Sequence, residues 1–369
     1  MKISLVSLGQ TGAGPVYSLE MAKALAKHPD CELQVVISDN VTNRKAWDEA
    51  FENTDVDYHA IKAYDHNPVS VLLSSFNYVR QEKLVKLIKD FGADVLYLPF
   101  GLMWSRYVLW RLHKNLKIVK TLHDVEFHDS FKNLSIAELG YYLINYGSGK
   151  YCDGMVILNR KDKAIVEART RKPVKVIPHA SFAYYFDKGR VVDYSIKRRI
   201  GFFGRIEVYK GLDLLVEAFE KCKVKDLKLL IAGSGSIEPE LMDRIKSNGN
   251  IELVNRYIKD EEFQPMLDSI DFSVLPYKRA SQSGVIPMCF AAGKTVVATN
   301  VGALSEQVPE GTGLIVSPDA DLIADTIRNL YAEEGNIKVL SKNAKKYADS
   351  ELTWEHSAEL LINFCNEIA

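Results

Sequence analysis

The sequence predicts an α/β protein built from two doubly wound parallel-sheet halves. Three observations carry this. Short Val/Ile/Leu runs alternate with helical segments from the first residues onward, the pattern of strands buried on both faces. The alternation halts once, over residues 178–199, and then restarts. The chain has 369 residues, enough for two domains at roughly 150 residues each.

The first strand covers 3–7 and leads through a Gly-rich turn into a helix over 15–27. A strand at 32–38 follows, and a long helix over 68–91 leads into a strand at 95–98. Helix 103–114 precedes strand 117–121, helix 135–150 precedes strand 154–158, and helix 161–170 precedes strand 174–177. Consecutive βαβ units of this kind give a parallel, right-handed sheet. The aromatic, polar stretch HASFAYYFDKGRVVDYSIKRR then reads as a linker. Strands return at 200–203, 227–232, 251–253, 272–275, 295–299 and 314–316, with helices at 212–223, 238–247, 261–270 and 284–293. The tail from Asp319 is helical throughout. The expected domains are 1–180 and 181–353, with a last helix over about 354–368 crossing back to brace the first.

Hydrophobic residues make up 47% and charged residues 26%, which excludes a disordered or disulfide-scaffold chain. Lys+Arg is 47 and Asp+Glu is 48, a net charge of -1, so no whole-molecule field attracts nucleic acid and an anion site must be local. Cys31, Cys152, Cys222, Cys289 and Cys365 are scattered, with no zinc spacing, which points to a reduced compartment. The apolar run at the N-terminus is too short for a signal peptide, and no window approaches a membrane span. The expected location is the cytoplasm.

Ligands of doubly wound sheets sit at the carboxyl ends of strands, so the loops there are the candidate site. The first, GQTGAGP, carries Gly9, Gly12 and Gly14 into a helix N-terminus, where backbone amides favour an anion. It runs GxxGxG, not the GxGxxG of a dinucleotide site, although Asp39 stands where a ribose-binding acid could. A tight turn without a ligand is the plain alternative. The second loop, TLHDVEFH, places His123 and Asp124 at a strand end, with His128 nearby. The spacing is not that of a helical HExxH, so no metal is expected, and a structural His123 is the competing reading. The third, FFGRIEVYKG, carries Gly204, Arg205 and Lys210 around a turn that opens a helix, the makings of a diphosphate clamp. A solvated basic turn would look the same in isolation. Glycine recurs at Gly233 and Gly235, and SQSG offers Ser283 and Gly284 before a helix. The fourth, TNVGALSEQV, contains Glu306. The two DxD strings, Asp55–Asp57 and Asp319–Asp321, read as structural.

Taken together, GRIEVYKGLDLLVEAF, LLIAGSG, SGVIPMCFAAGKTVVATNVGALSE and GTGLIV resemble the retaining glycosyltransferases of family 4, which have the GT-B fold. The resemblance covers essentially the whole chain and is strongest over 199–316; TLHD and the glycine loop match more loosely. It implies two Rossmann-like domains facing a cleft, with a UDP- or GDP-sugar as donor and a glycan or lipid-linked acceptor. The activity implied is sugar transfer in cell-surface polysaccharide synthesis, without metal or cofactor. Carried over by position, Arg205 and Lys210 bind and stabilise the departing diphosphate, and His123 stands near the reacting sugar. Gly12, Gly14, Gly204, Gly233, Ser283, Gly284 and Glu306 line the donor, and Asp124 and His128 share the acceptor-side loop. One feature departs from the family: its Glu–seven residues–Glu motif is absent, since Ser281 to Met288 or Cys289 carries no acid at either end. That leaves two rivals, a nucleotide-sugar-binding protein without turnover and a GT-B sugar-nucleotide epimerase. A dehydrogenase fits only the first loop. Helix 103–114, MWSRYVLWRLHK, mixes aromatic and basic residues, which suits either a peripheral contact with the inner face of a membrane or a core helix with a solvated basic side.

Overall fold

The computed structural model describes residues 1–64, 70, 73–102, 104–123, 125, 149–187 and 189–368. The chain divides into two compact units, Met1–Pro178 with Trp354–Ala369, and His179–Thr353.

In the first unit, strands β1 (Lys2–Ser7), β2 (Glu32–Ser38), β3 (Asp57–Ile61), β4 (Val95–Leu98), β5 (Lys117–Leu122), β6 (Gly154–Ile157) and β7 (Val174–Val176) pair in parallel. Their order among the described residues is β3-β2-β1-β4-β5-β6-β7. The chain thus winds one way from β1 to β3 and the other way from β4 onward, and the direction reverses between β1 and β4. Helices α1 (Ala13–Lys27), α2 (Arg44–Phe51), α3 (Tyr78–Phe91), α4 (Ser105–Leu112) and α5 (Lys163–Thr170) connect them. One sheet face packs Leu84, Val85, Ile88, Val108, Leu109 and Leu112 of α3 and α4 into a dry core. On α1, Tyr17 meets the indole of Trp354 edge-on at 5.0 Å. Gly154 makes room for the terminal helix, because a Cβ there would lie 2.7 Å from Phe364.

The second unit repeats the plan. Strands β8 (Arg199–Phe203), β9 (Lys228–Gly233), β10 (Ile251–Asn255), β11 (Phe272–Leu275), β12 (Thr295–Thr299) and β13 (Leu314–Val316) are parallel, in the order β10-β9-β8-β11-β12-β13. Its helices are α6 (Leu212–Cys222), α7 (Pro239–Ser247), α8 (Asp260–Asp268), α9 (Val285–Ala291) and α10 (Leu304–Gln307), then α11 (Ala320–Ala332) and α12 (Glu334–Glu351). Helix α13 (Trp354–Glu367) belongs to the first unit. Core clusters cover both faces of the second sheet. The linker lies on this unit as a strap: Arg190 pairs with Asp268, donates to Ala292 O at 3.2 Å and stacks on Phe186.

Several elements differ from the sequence reading. The expected helix over 68–91 is broken: residues 70, 73 and 74 are helical, a turn follows at 75–77, and α3 starts at Tyr78, where the Asn77 side chain accepts the Arg80 amide and caps it. Helix α2 was not anticipated; its buried Trp47 and Phe51 form an i, i+4 pair on an eight-residue segment. The tail is three helices, interrupted near Glu333 and at 352–353. The helix expected over 135–150 lies outside the described residues, apart from a turn at Gly149–Tyr151. Asp319 of the second DxD string caps α11, accepting the amides of Asp321 and Leu322, and Asp57 of the first accepts from Gln34 at 2.7 Å. Among the described residues, no helix is long and apolar enough to cross a membrane.

Candidate functional site

In both sheets the crevice of an open α/β fold falls where the winding reverses, at the carboxyl ends of β1 and β4 and of β8 and β11. The predicted residues gather at these two places.

In the first unit, Gly12 has φ of 80° and caps α1, with open space where a Cβ would be. Gly14 lies 3.5 Å, measured from its would-be Cβ, from the ring of Phe100, which follows β4. Phe100 in turn stacks on His123, centroids 3.7 Å apart and planes 14° apart. Tyr17 meets His123 edge-on at 4.8 Å. His123 Nε2 lies 2.8 Å from Pro99 O. A carbonyl oxygen only accepts, so Nε2 carries the hydrogen, and in the neutral ring Nδ1 presents a lone pair. His123 is half-buried and held by three neighbours at the switch point. Asp124 and His128 lie outside the described residues.

The second unit holds a denser constellation. Lys210 ends a turn (Val208–Lys210) and is half-buried. Its Nζ donates to Tyr277 Oη at 3.2 Å and stands 5.0 Å from the centroid of the same ring. An ammonium can only donate, so the phenol hydrogen goes to Ser283 Oγ, 3.2 Å away. Ser283 Oγ also accepts the Val285 amide at 3.2 Å, which leaves its own hydrogen to donate. The Ser283 backbone is gripped by Gln307: its N–H donates to Oε1 at 2.7 Å, and Nε2 donates to its carbonyl at 3.0 Å. Lys210, Tyr277, Ser283 and Gln307 therefore form one polar chain across the loops after β8, β11 and β12.

Glycine permits this arrangement at two points. Gly211 has φ of 67°, and a Cβ there would lie 2.0 Å from Pro276 O, so only glycine lets the Lys210 turn lie against the Tyr277 loop. Gly233, expected to face a ligand, instead faces backbone: its Cβ would lie 1.8 Å from Gly204 O. Gly204 itself backs the lysine, with Lys210 Nζ 2.8 Å from the position of its Cβ.

Among the described residues no carboxylate lies within ion-pair range of Lys210. Burial pulls its pKa below the ordinary lysine value. A half-desolvated cation without a counter-ion is an anion site in electrostatic terms. Arg205 is different: its side chain is 75% exposed and its nearest acid, Glu207, is 4.0 Å away. The Ser283 amide, expected to meet phosphate, is occupied by Gln307, whereas the Gly284 amide has no partner among the described residues. Glu306 is exposed on α10. Tyr277 and Gln307 went unnoticed in the sequence; an uncharged loop residue gives no signal of its own there.

Residues 197–333, all in the second unit, match the family model described as glycosyl transferases group 1. A D-inositol 3-phosphate glycosyltransferase of Corynebacterium urealyticum is 28% identical over 176 residues, 44% of this chain and 41% of that protein. The match thus spans about two fifths of that relative's length. The structure of a sucrose-phosphate synthase from Thermosynechococcus elongatus superposes with a TM-score of 0.75 at 18% identity, covering 100% of this chain and 98% of that one. Anabaena Alr3699/HepE in complex with UDP-glucose gives 0.68 at 14% identity, covering 100% of both chains. The fold is therefore the pair of parallel-sheet α/β domains seen in GT-B glycosyltransferases.

Proposed function

We propose that this protein is a retaining glycosyltransferase that moves a sugar from a nucleotide-diphosphate sugar to a glycan or lipid-linked acceptor. The observation that carries the reading is the half-buried Lys210 ammonium at the switch point of the second sheet, with no carboxylate in ion-pair range among the described residues. Breaking the bond from the anomeric carbon to the diphosphate leaves negative charge on the departing oxygen. Fixed cations aimed at that oxygen are the main requirement. Lys210 meets it, braced by Tyr277, and Arg205 adds an exposed second charge. The match of this unit to group 1 transferases and the UDP-glucose complex of Alr3699/HepE support a nucleotide-sugar donor.

In this reading the acceptor oxygen bonds to the anomeric carbon on the face the diphosphate leaves, and its proton passes to the departing phosphate oxygen. No paired carboxylates at glycosidase spacing are required. His123 stands on the acceptor side as a neutral imidazole. The local cations supply the charge neutralisation, so neither metal nor cofactor is part of the scheme. The family resemblance supports surface-polysaccharide assembly as the setting of the step.

The test is incubation with a panel of UDP- and GDP-sugars, following free nucleotide by 31P NMR with and without glycan acceptors. Acceptor-dependent release with retained anomeric configuration is expected; inversion overturns the mechanism. One observation favours a second reading, a binder without turnover: Met288 and Cys289, where the family acid would fall, are buried. Donor binding without release in any combination would establish it.

A further inference from the structure

Phe100, which follows β4, carries no charge and no reactive group, yet it touches both candidate loops of the first unit. A Cβ built at Gly14 would lie 3.5, 3.5 and 3.6 Å from three adjacent atoms of its ring, Cδ1, Cγ and Cδ2. Near-equal distances to adjacent ring atoms put Gly14 over one face of the ring. The imidazole of His123, with centroids 3.7 Å apart and planes 14° apart, takes the other face. Phe100 is thus a plate held between the glycine loop and His123. The third glycine of GQTGAGP has a reason in this contact. A methyl there would meet the ring at ordinary van der Waals distance, and any larger side chain would push the ring toward His123.

The other walls around the imidazole are anchored. Tyr17 meets His123 edge-on at 4.8 Å and Phe100 edge-on at 5.7 Å. Tyr17 is buried, its hydroxyl is bonded to those of Tyr97 and Thr121, and these two lie 2.8 Å apart. Trp354, the first residue of α13, packs edge-on against Tyr17 at 5.0 Å. Pro99 O holds Nε2 of His123 at 2.8 Å, but that bond fixes one atom. The terminal torsion of a histidine is broad, so a single hydrogen bond leaves the ring free to swing about it. A flat stack on one face sets the plane. We infer that Phe100 is a positioning residue for His123: its ring, seated on Gly14, fixes the plane in which the imidazole meets the substrate. The effect on transfer rate rests on the proposed function; the lock on the ring does not.

The two parts are measured separately. The full-length protein is labelled with 13C in its histidine rings, and the His123 signal is assigned by its loss in His123→Ala. Relaxation in the absence of donor should show the parental ring moving with the backbone. Phe100→Leu keeps an apolar side chain but removes the flat face, and should free the imidazole on the picosecond to nanosecond scale, whereas Phe100→Tyr should keep it ordered. Melting temperatures of both variants should stay within a few degrees of the parent. Transfer should fall about tenfold in Phe100→Leu, in kcat rather than in donor KM, and recover in Phe100→Tyr. In a His123→Ala background Phe100→Leu should change the residual rate no further, because the two side chains act as one unit. An imidazole that stays ordered in Phe100→Leu overturns the inference. So does a full tenfold loss from Phe100→Leu in the absence of the His123 side chain, which would leave Phe100 a packing residue only. A protein whose His123 ring is freed by Phe100→Leu but which consumes no donor keeps the lock and loses the proposed activity.

Discussion

Lys210→Ala removes the ammonium and little else. Tyr277 Oη keeps Ser283, the Ser283 turn keeps Gln307, and the vacated space beside Gly204 opens to water, so the fold is retained. The effect on chemistry follows from burial. A unit charge about 4 Å from a phosphate oxygen is worth about 4 kcal/mol at an effective dielectric of about 20, and about 1 kcal/mol in bulk water. Half-buried Lys210 belongs nearer the first figure and Arg205, 75% exposed, at the second. The expected loss for Lys210→Ala is roughly 10²–10³ in turnover, the range for removing one fixed stabiliser of developing charge. Arg205→Ala, at about 1 kcal/mol, costs about fivefold. The two cations, equal partners in the sequence, are thus unequal in the structure. Single-turnover release of nucleotide from a labelled donor, with donor affinity measured by calorimetry, separates them. A folded Lys210→Ala variant with parental turnover, or an Arg205→Ala variant more damaged than Lys210→Ala, would refute the assignment.

Burial lowers the Lys210 pKa, so kcat/KM should fall with rising pH at a value below the ordinary lysine figure of about 10.4; Lys210→Arg should move that limb beyond the measurable range. Stability moves the other way: in the window between the two pKa values the unfolded chain binds more protons, so the fold gains slightly as pH rises, and a parallel loss of melting temperature would assign the limb to unfolding instead. Tyr277→Phe keeps the ring beneath the ammonium but cuts the link to Ser283; about tenfold lower turnover with a melting temperature within a few degrees is expected, and an unchanged kcat would show that the hydroxyl only fills space. His123→Ala should leave fold and donor affinity near parental while transfer drops strongly; a stable variant that binds donor and transfers at the parental rate removes His123 from the mechanism, and lowered stability together with weakened donor binding makes it structural.

Most strands were legible along the chain because they are buried and so appear as uninterrupted apolar runs: LLIA in β9 and TVVA in β12 are examples. Helix α2 was hidden because eight residues with two buried side chains carry too little periodicity. Gly233 shows a different limit. A glycine after a strand signals close approach, but the signal is the same for a phosphate and for the neighbouring backbone, and here the approaching atom is Gly204 O. At 306–307 the sequence drew attention to the charge of Glu306. On a one-turn helix adjacent residues point about 100° apart, and it is uncharged Gln307 that reaches Ser283. His123, Gly14, Lys210 and Ser283 were singled out because the strand-end rule is topological and needs no side-chain geometry.

The missing acid pair acquires a physical meaning at this point. Helix α9, VIPMCFA, buries every residue but Val285, and Cys289 packs so deeply that its thiol is pushed up to about 12. A carboxylate at 288 or 289 would need an open face of the helix, and this helix has none. What α9 presents to the site is its leading turn, through Ser283 and the Gly284 amide, which has no partner among the described residues. The consequence is electrostatic. A glutamate beside the donor would give the ribose hydroxyls an acceptor but would oppose the diphosphate; without one among the described neighbours of Lys210, the local field there stays positive. Under the proposed function, recognition is weighted toward the donor diphosphate, where the Lys210–Tyr277–Ser283–Gln307 chain concentrates its fixed donors, and away from the nucleoside. The same arrangement gives the proposed donor site a local positive potential in a chain whose net charge is only -1: Lys210 is kept half dry, with no carboxylate in ion-pair range among the described residues.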